Sequence, residues 1–172
     1  MFKTDVPLIA FGISSTIKRY WPVSTALAIA LAVHSSFSAA SPQHAEQRNL
    51  VTANAPTAIG PYAQAVRAGE TLYLSGQLPI DPASGAFLAD APIEVQTSRV
   101  LDNIQAVLAA DGLEMRDIVS TTVYLKDLND FTKMNEVYAS YFKQSPPARV
   151  TVQVSRLPKD SAIEISSIAQ RR

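Results

Sequence analysis

The 172-residue chain has no cysteine and only two histidines, His34 and His44. Without cysteine there is no disulfide, no cysteine nucleophile and no thiolate metal site. Both histidines precede residue 52, where we place the start of the domain. That domain therefore cannot hold a Ser-His-Asp triad, a two-histidine zinc motif or a two-histidine ribonuclease site. Its chemistry must use arginine, carboxylates, hydroxyls and backbone groups, and we expect no metal.

An excess of charge of either sign is also missing, since 15 basic residues balance 15 acidic ones. Nucleic-acid binding without sequence preference relies on lysine and arginine to neutralise phosphates. We therefore expect no nucleic-acid partner. Hydrophobic residues make up 47% of the chain, which is ample for a core and argues against global disorder.

The first forty residues have the three-part pattern of a secretory signal peptide. Lys18 and Arg19 precede an apolar run over residues 23–33, and small residues follow as far as Ala40. The apolar run is shorter than the about 20 residues that span a bilayer. We predict a signal peptide over residues 1–40, cleavage after Ala40, and an exported, periplasmic or secreted protein without a membrane span. An uncleaved anchor and a buried helix are the alternatives.

The remaining chain is predicted to form one domain behind a short leader. Residues 41–51 are polar without clear periodicity and are interpreted as a flexible leader. Over residues 52–172 we predict one α+β domain in the order β-β-α-β-α-β-β. Two short apolar runs, Ala63–Val66 and Thr71–Ser75, predict a hairpin at its start.

Periodicity predicts the later elements. Apolar residues at helical spacing predict one helix that begins near Ile93 and is capped by Gly112, and a second from Phe131 to Phe142. Strands are predicted over Ile118–Leu125, at the alternating valines 150, 152 and 154, and around residues 163–168. These elements fit a single sheet with two helices packed on one of its faces. If its other face is apolar, that face needs another subunit.

Two loop-proximal motifs offer polar groups. Tyr62 follows a Gly-Pro pair just before the first predicted strand, and Ser75 with Gly76 ends the second. Gly76 lets a ligand or another backbone approach closely, and Ser75 supplies a hydroxyl beside it. The alternative for both motifs is an ordinary turn.

Two charged residues stand at unusual places. Arg149 opens the valine strand, where its planar fork can grip a carboxylate in two hydrogen bonds. Glu164 lies between Ile163 and Ile165, and a half-buried glutamate without a partner should have a raised pKa, which suits a general acid or base. The alternatives are a surface arginine and an outward-facing glutamate. Together the motifs suit a pocket for a small anionic organic acid.

Six segments carry a resemblance that covers the chain from about Asn54 to its C-terminus. They read NAPTAIGPYAQAV, YLSGQLPIDPASG, VLDNIQAVLAADGL, DIVSTTVYLKDLNDF, PPARVTVQVSRLPKD and AIEISSIA. In order and spacing they resemble the Rid family, also called YjgF/RidA. The P-A-R strand followed by L-P-K-D and I-E-I is the most specific part.

The resemblance implies a chorismate-mutase-like α+β fold in a homotrimer with sites in the clefts between subunits. It implies hydrolysis of reactive enamino and imino acids, released by pyridoxal-phosphate enzymes, to 2-oxo acids and ammonia without a cofactor. The family's carboxylate-binding arginine matches Arg149 and its water-positioning glutamate matches Glu164. Its pocket tyrosine, serine and asparagine match Tyr62, Ser75 and Asn135.

The chain departs from the family pattern at two positions. Thr151 stands where many members have cysteine, and Ser166 stands where many have a second glutamate. Thr151 still offers a hydroxyl, so we expect a changed substrate choice rather than lost activity. With Gly76 and Ser75 it is predicted to help fix the substrate.

Two other functions remain as alternatives to the deaminase. The first is a non-catalytic trimer that binds a small acid or shields unfolding proteins, since such a binder would need the arginine but not Glu164. The second is a ribonuclease, which the missing histidines and the charge balance disfavour.

Overall fold

A computed structural model describes residues 47–172, which form one mixed sheet and two helices. The strands are β1 (Gln47–Leu50), β2 (Ala65–Ala68), β3 (Thr71–Gln77), β4 (Ile118–Leu125), β5 (Ala148–Gln153) and β6 (Ile163–Gln170); the helices are α1 (Ile93–Ala109) and α2 (Phe131–Tyr141). Across the sheet the order is β1-β2-β3-β6-β4-β5. Neighbours are antiparallel except β4 and β5, which are parallel. The predicted α+β class is confirmed.

The predicted hairpin is present. β2 and β3 pair antiparallel, with Ala65 opposite Leu74 and Ala68 opposite Thr71. At the turn Gly69 has a φ of +59°, a conformation that glycine adopts without the steric cost of a Cβ.

Both predicted helices are present, and the first ends at its glycine. Gly112 has a φ of +69°. Its N–H donates to the carbonyl of Ala109 and the N–H of Leu113 donates to the carbonyl of Leu108, both at 3.0 Å. These bonds satisfy carbonyls that a helix end otherwise leaves unpaired, as in a Schellman motif.

The helices cover only one face of the sheet. On β6, Ile163, Ile165 and Ala169 are fully buried on the helix side, whereas Glu164 and Ile168 point to the other face and are partly buried. We call this other face the open face. Because side chains alternate along a strand, the open face continues across β3, β4 and β5.

On β5 the valines lie on the open face, where Val150 is 55% and Val152 is 38% exposed. Arg149 and Thr151 face the helices, since they are opposite Thr121 and Val123, which are buried on that side. Among the residues that β3, β4, β5 and β6 direct to the open face, Glu164 is the only charged one. The open face therefore has the composition of a contact surface rather than of a solvated one.

Part of the predicted leader forms a strand. β1 pairs antiparallel with β2 and buries Leu50. A polar segment without periodicity can still add to a sheet edge, because pairing uses backbone groups that every residue carries. The predicted signal peptide 1–40, its cleavage site and residues 41–46 lie outside the described residues. Within residues 47–172, neither helix combines the length and the apolarity that crossing a membrane requires.

A buried carboxylate joins β1 to the rest of the domain. Asp111, just after α1, has a side chain that is only 1% exposed, and it pairs with Arg48 of β1 at 3.0 Å and with Arg67 of β2. Arg171, beyond β6, lies 3.6 Å from it. Arg48 and Arg67 are directly opposite each other in the β1–β2 register, where like charges repel. Asp111 compensates this repulsion.

We expect Asp111→Ala to lower the free energy of unfolding by about 3–5 kcal/mol, because it leaves buried guanidinium charge without an anion. Urea unfolding at one fixed protein concentration measures this loss. Lys133→Ala is the matched control: it breaks a 3.8 Å pair with Glu94 in which the lysine is 64% exposed, and its cost should stay below about 1 kcal/mol. Equal costs for the two variants would contradict a structural role for Asp111.

Candidate active site

Glu164 lies on the open face against a glycine. It is opposite Tyr124 in the β6–β4 register. The β3–β6 pairing is irregular between Leu74 and Gln77, and Gly76 sits in this irregular stretch. A Cβ added to Gly76 would overlap Oε1 of Glu164 and lie 2.8 Å from its Cδ. The close approach expected at Gly76 is thus made by the Glu164 carboxylate, which occupies the space of a side chain.

The surroundings of Glu164 favour its protonated form. Burial raises the pKa of Glu164 above its ordinary value of 4.5, since removal from water penalises the charged state. None of the salt bridges within residues 47–172 includes it. A half-buried carboxyl group without a counter-ion exchanges its proton at higher pH than an exposed glutamate, as a general acid or base requires.

Tyr62 and Ser75 lie close to the same glycine. Tyr62 and Gly76 line one shallow hollow. The hydroxyl of Ser75 donates to the carbonyl of Ala63 at 2.7 Å, and its N–H donates to the carbonyl of Gln64 at 3.0 Å. The hydroxyl proton is therefore already used, and Ser75 offers a ligand its oxygen lone pairs.

Gln64, which was not predicted as a site residue, supports the segment that leads to Tyr62. Its side chain is buried and accepts a hydrogen bond from the N–H of Thr52 at 2.7 Å. Its amide nitrogen contacts the carbonyls of Thr52, Ala55 and Pro56 at 2.8–3.2 Å. Gln64 thereby fastens the chain that leads to Tyr62. The signal was a polar residue placed between two alanines at the start of a strand.

Arg149 faces α2 with its guanidinium over two aromatic rings. Its Cζ lies 4.5 Å from the ring centroid of Tyr138 and 5.8 Å from that of Phe131. Both distances are within cation–π range, about 6 Å. Within residues 47–172 no carboxylate forms a salt bridge with Arg149. Among the described residues, its charge is thus met by ring faces rather than by a carboxylate.

Asn135 and Thr151 belong to the same neighbourhood. Asn135 stands four residues after Phe131 and three before Tyr138 on α2, which places all three on one helix face. Thr151 follows Arg149 by two residues and so lies on the same side of β5. Its hydroxyl oxygen is buried and has no hydrogen-bond partner among the described residues.

The predicted site residues thus form two groups on opposite faces of the sheet. The Glu164 group comprises Tyr62, Ser75, Gly76 and Glu164; the Arg149 group comprises Asn135, Arg149 and Thr151. The structure does not bring the two groups together within one chain. No three His, Cys, Asp or Glu side chains within residues 47–172 gather as a metal site would require.

Comparison with known proteins identifies the family. A family model described as Endoribonuclease L-PSP matches residues 52–171. A crystal structure of YyfA from Yersinia pestis, described as a protein of unknown function of the conserved Rid family, covers 73% of this chain and 100% of its own at 45% identity, with a TM-score of 0.71. The chain belongs to the Rid family. Both the family and the fold predicted from the sequence are confirmed.

The matching part of this chain spans nearly the whole length of curated Rid relatives. A RutC family protein of Pyrococcus horikoshii is 56% identical over 122 residues, which are 71% of this chain and 96% of that protein. A 2-iminobutanoate/2-iminopropanoate deaminase of Salmonella typhimurium is 47% identical over 128 residues, which are 73% of this chain and 98% of that protein.

The two departures from the Rid pattern fall on different faces. Thr151 belongs to the Arg149 group on the helix side. Ser166 is opposite Thr122 on the open face, so a serine there leaves Glu164 without a second carboxylate on its strand. Like charges close together would raise the pKa of either carboxyl group further, and the serine removes that influence.

Glu164→Gln should be more stable to unfolding than the wild type at pH 8, with the difference shrinking as pH falls to 4. The folded protein binds the Glu164 proton more tightly than the unfolded chain, because burial raises the pKa above 4.5. The wild type therefore loses relative stability as pH rises from about 4.5 through the raised value. Urea unfolding at one protein concentration across this range tests it. Equal stability at pH 8 would contradict the burial of a charged Glu164.

Proposed function

We propose that this Rid protein hydrolyses reactive 2-enamino and 2-imino acids to 2-oxo acids and ammonia without a cofactor. The observation that carries the proposal is the Glu164 carboxyl group, which is half-buried, in contact with Gly76 and without a salt-bridge partner among residues 47–172. A protein that only binds an organic acid needs a cation such as Arg149 but has no use for such a group. The name of the Salmonella typhimurium relative supports the same reaction class.

We further propose that the site is completed by a second copy of the chain in a homotrimer, so that the Arg149 group of one copy meets the Glu164 group of its neighbour. Side-chain alternation holds the two groups apart within one chain. The open face supplies the contact surface, since Glu164 is the only charged residue that β3, β4, β5 and β6 direct to it. A cyclic, heterologous contact brings unlike surfaces together at every interface.

In the proposed reaction Arg149 binds the substrate carboxylate and Glu164 acts on water. Glu164 takes a proton as the water oxygen bonds to the imine carbon, and passes it to the imine nitrogen, which becomes an amine. It then takes the proton of the new hydroxyl group and transfers it to the same nitrogen. As the C=O bond forms, the C–N bond breaks, and ammonia leaves a 2-oxo acid. An imine carbon is already electrophilic, so the protein supplies mainly orientation and proton transfer, the latter worth about 10²–10⁴-fold.

Trapping of free imine by semicarbazide tests the reaction. An amino-acid oxidase generates imines from several amino acids, and the wild-type protein should suppress semicarbazone formation. Arg149→Ala should no longer suppress semicarbazone formation, because it cannot bind the substrate carboxylate. Glu164→Gln should slow hydrolysis by about 10²–10⁴-fold. Arg156→Ala is the matched control, since Arg156 pairs with Asp160 at the surface. No suppression by a folded wild type with any imine would favour the non-catalytic binding protein.

Subunit mixing tests where the site lies. Arg149→Ala and Glu164→Gln chains, unfolded together and refolded, should regain about a quarter of wild-type activity, because one site in four combines an intact Glu164 with an intact Arg149 from its neighbour. The same variants refolded separately should stay inactive. Failure of the mixture, with wild type recovering activity after the same treatment, would contradict a site shared between copies.

We also propose that the protein is exported, on the pattern of residues 1–40. Mass spectrometry of the N-terminus of the protein recovered from its native cell envelope should then begin at Ser41. A protein recovered with residues 1–40 attached would contradict cleavage after Ala40.

A further inference from the structure

Among the described residues, the Arg149 guanidinium packs on aromatic rings and not against a carboxylate. The guanidinium lies closest to Tyr138, 4.5 Å from the ring centroid, and farther from Phe131, at 5.8 Å. A carboxylate in this place would form parallel hydrogen bonds with the guanidinium and occupy the N–H groups that a ligand carboxylate needs. A ring attracts the cation through its face and leaves the in-plane N–H groups unoccupied.

The Tyr138 ring is itself held on two sides. Its hydroxyl lies 2.8 Å from the hydroxyl of Thr121 on β4, in the register position opposite Arg149. Its ring centroid lies 4.5 Å from that of Phe142. Tyr138 is only 5% exposed, and burial raises the pKa of its hydroxyl, so the group is a neutral phenol at physiological pH. A fixed ring beneath a long, flexible side chain restricts where its charged end can lie.

We propose that Tyr138 is a positioning residue whose ring, fastened by Thr121 and Phe142, orients the Arg149 guanidinium toward the carboxylate of the ligand. The effect of Tyr138 on ligand binding rests on the proposed function, whereas its contact with Arg149 does not. Phe131, which is 38% exposed, contributes a second and weaker ring face. The lost interaction in a Tyr138 variant is with Arg149, and the ligand is affected only through the arginine.

Two measurements on the same variants test this role. In the ligand-free protein, ring current should shift the side-chain proton resonances of Arg149 upfield in NMR spectra, assigned by comparison with Arg149→Lys. Tyr138→Phe should keep the shift, and Tyr138→Leu should lose it. By calorimetry, Tyr138→Leu should bind 2-oxobutanoate about tenfold more weakly than the wild type, which corresponds to about 1.4 kcal/mol. Tyr138→Phe should stay within about threefold because it keeps the ring.

If Tyr138→Leu does not fold, Phe131→Leu takes its place. Phe131 is partly exposed, so its replacement should leave the fold intact. It should weaken 2-oxobutanoate binding by about twofold, with a small change in the Arg149 resonances, because its ring is the more distant one. Unshifted Arg149 resonances in the wild type, or equal affinity in wild type and Tyr138→Leu, would overturn the positioning role. If the wild type shows the shift but neither binds 2-oxobutanoate nor hydrolyses imines, the proposed function fails while the orientation of Arg149 by Tyr138 stands.

Discussion

Side chains of adjacent strand residues point to opposite faces, and within residues 47–172 helices cover only one of those faces. That alternation sends Ile163 and Ile165 into the core and the intervening Glu164 to the open face. The same rule sends Arg149 toward α2 and Val150 away from it. The sheet therefore separates Arg149 from Glu164. In the proposed homotrimer, a second copy of the chain allows one guanidinium and one carboxyl group to contact the same ligand.

The two groups also share an electrostatic property. Neither Arg149 nor Glu164 forms a salt bridge within residues 47–172. Glu164 contacts a glycine and Arg149 packs on aromatic rings. For Glu164, burial disfavours the charged form. Charged pairs do occur elsewhere in the fold. Asp111 pairs with Arg67 and with Arg48 of β1 at the sheet edge, and Lys133 pairs with Glu94 between the two helices.

The amino-acid pattern alone was sufficient for most elements. Ile118–Leu125 forms a strand over the predicted residues, and Gly112 ends its helix as predicted. Such features depend on local periodicity and on the conformational freedom of one residue. β1 was not predictable in this way, since pairing with a sheet edge uses only backbone groups. The support from Gln64 was equally hidden, because its partners are backbone atoms of residues eight to twelve positions earlier.

The chain's own sequence determined its family and its α+β class, because motif order and apolar spacing are carried by the sequence itself. It also predicted seven residues of a candidate site, in part through the family resemblance. Tertiary structure decided how those residues are distributed. Which face each side chain occupies, and that the space at Gly76 is filled by Glu164, depend on strand register. The placement of Tyr138 beneath Arg149 depends on how α2 packs across β4 and β5. Register and packing arise from contacts between residues far apart in the chain, which no local pattern records.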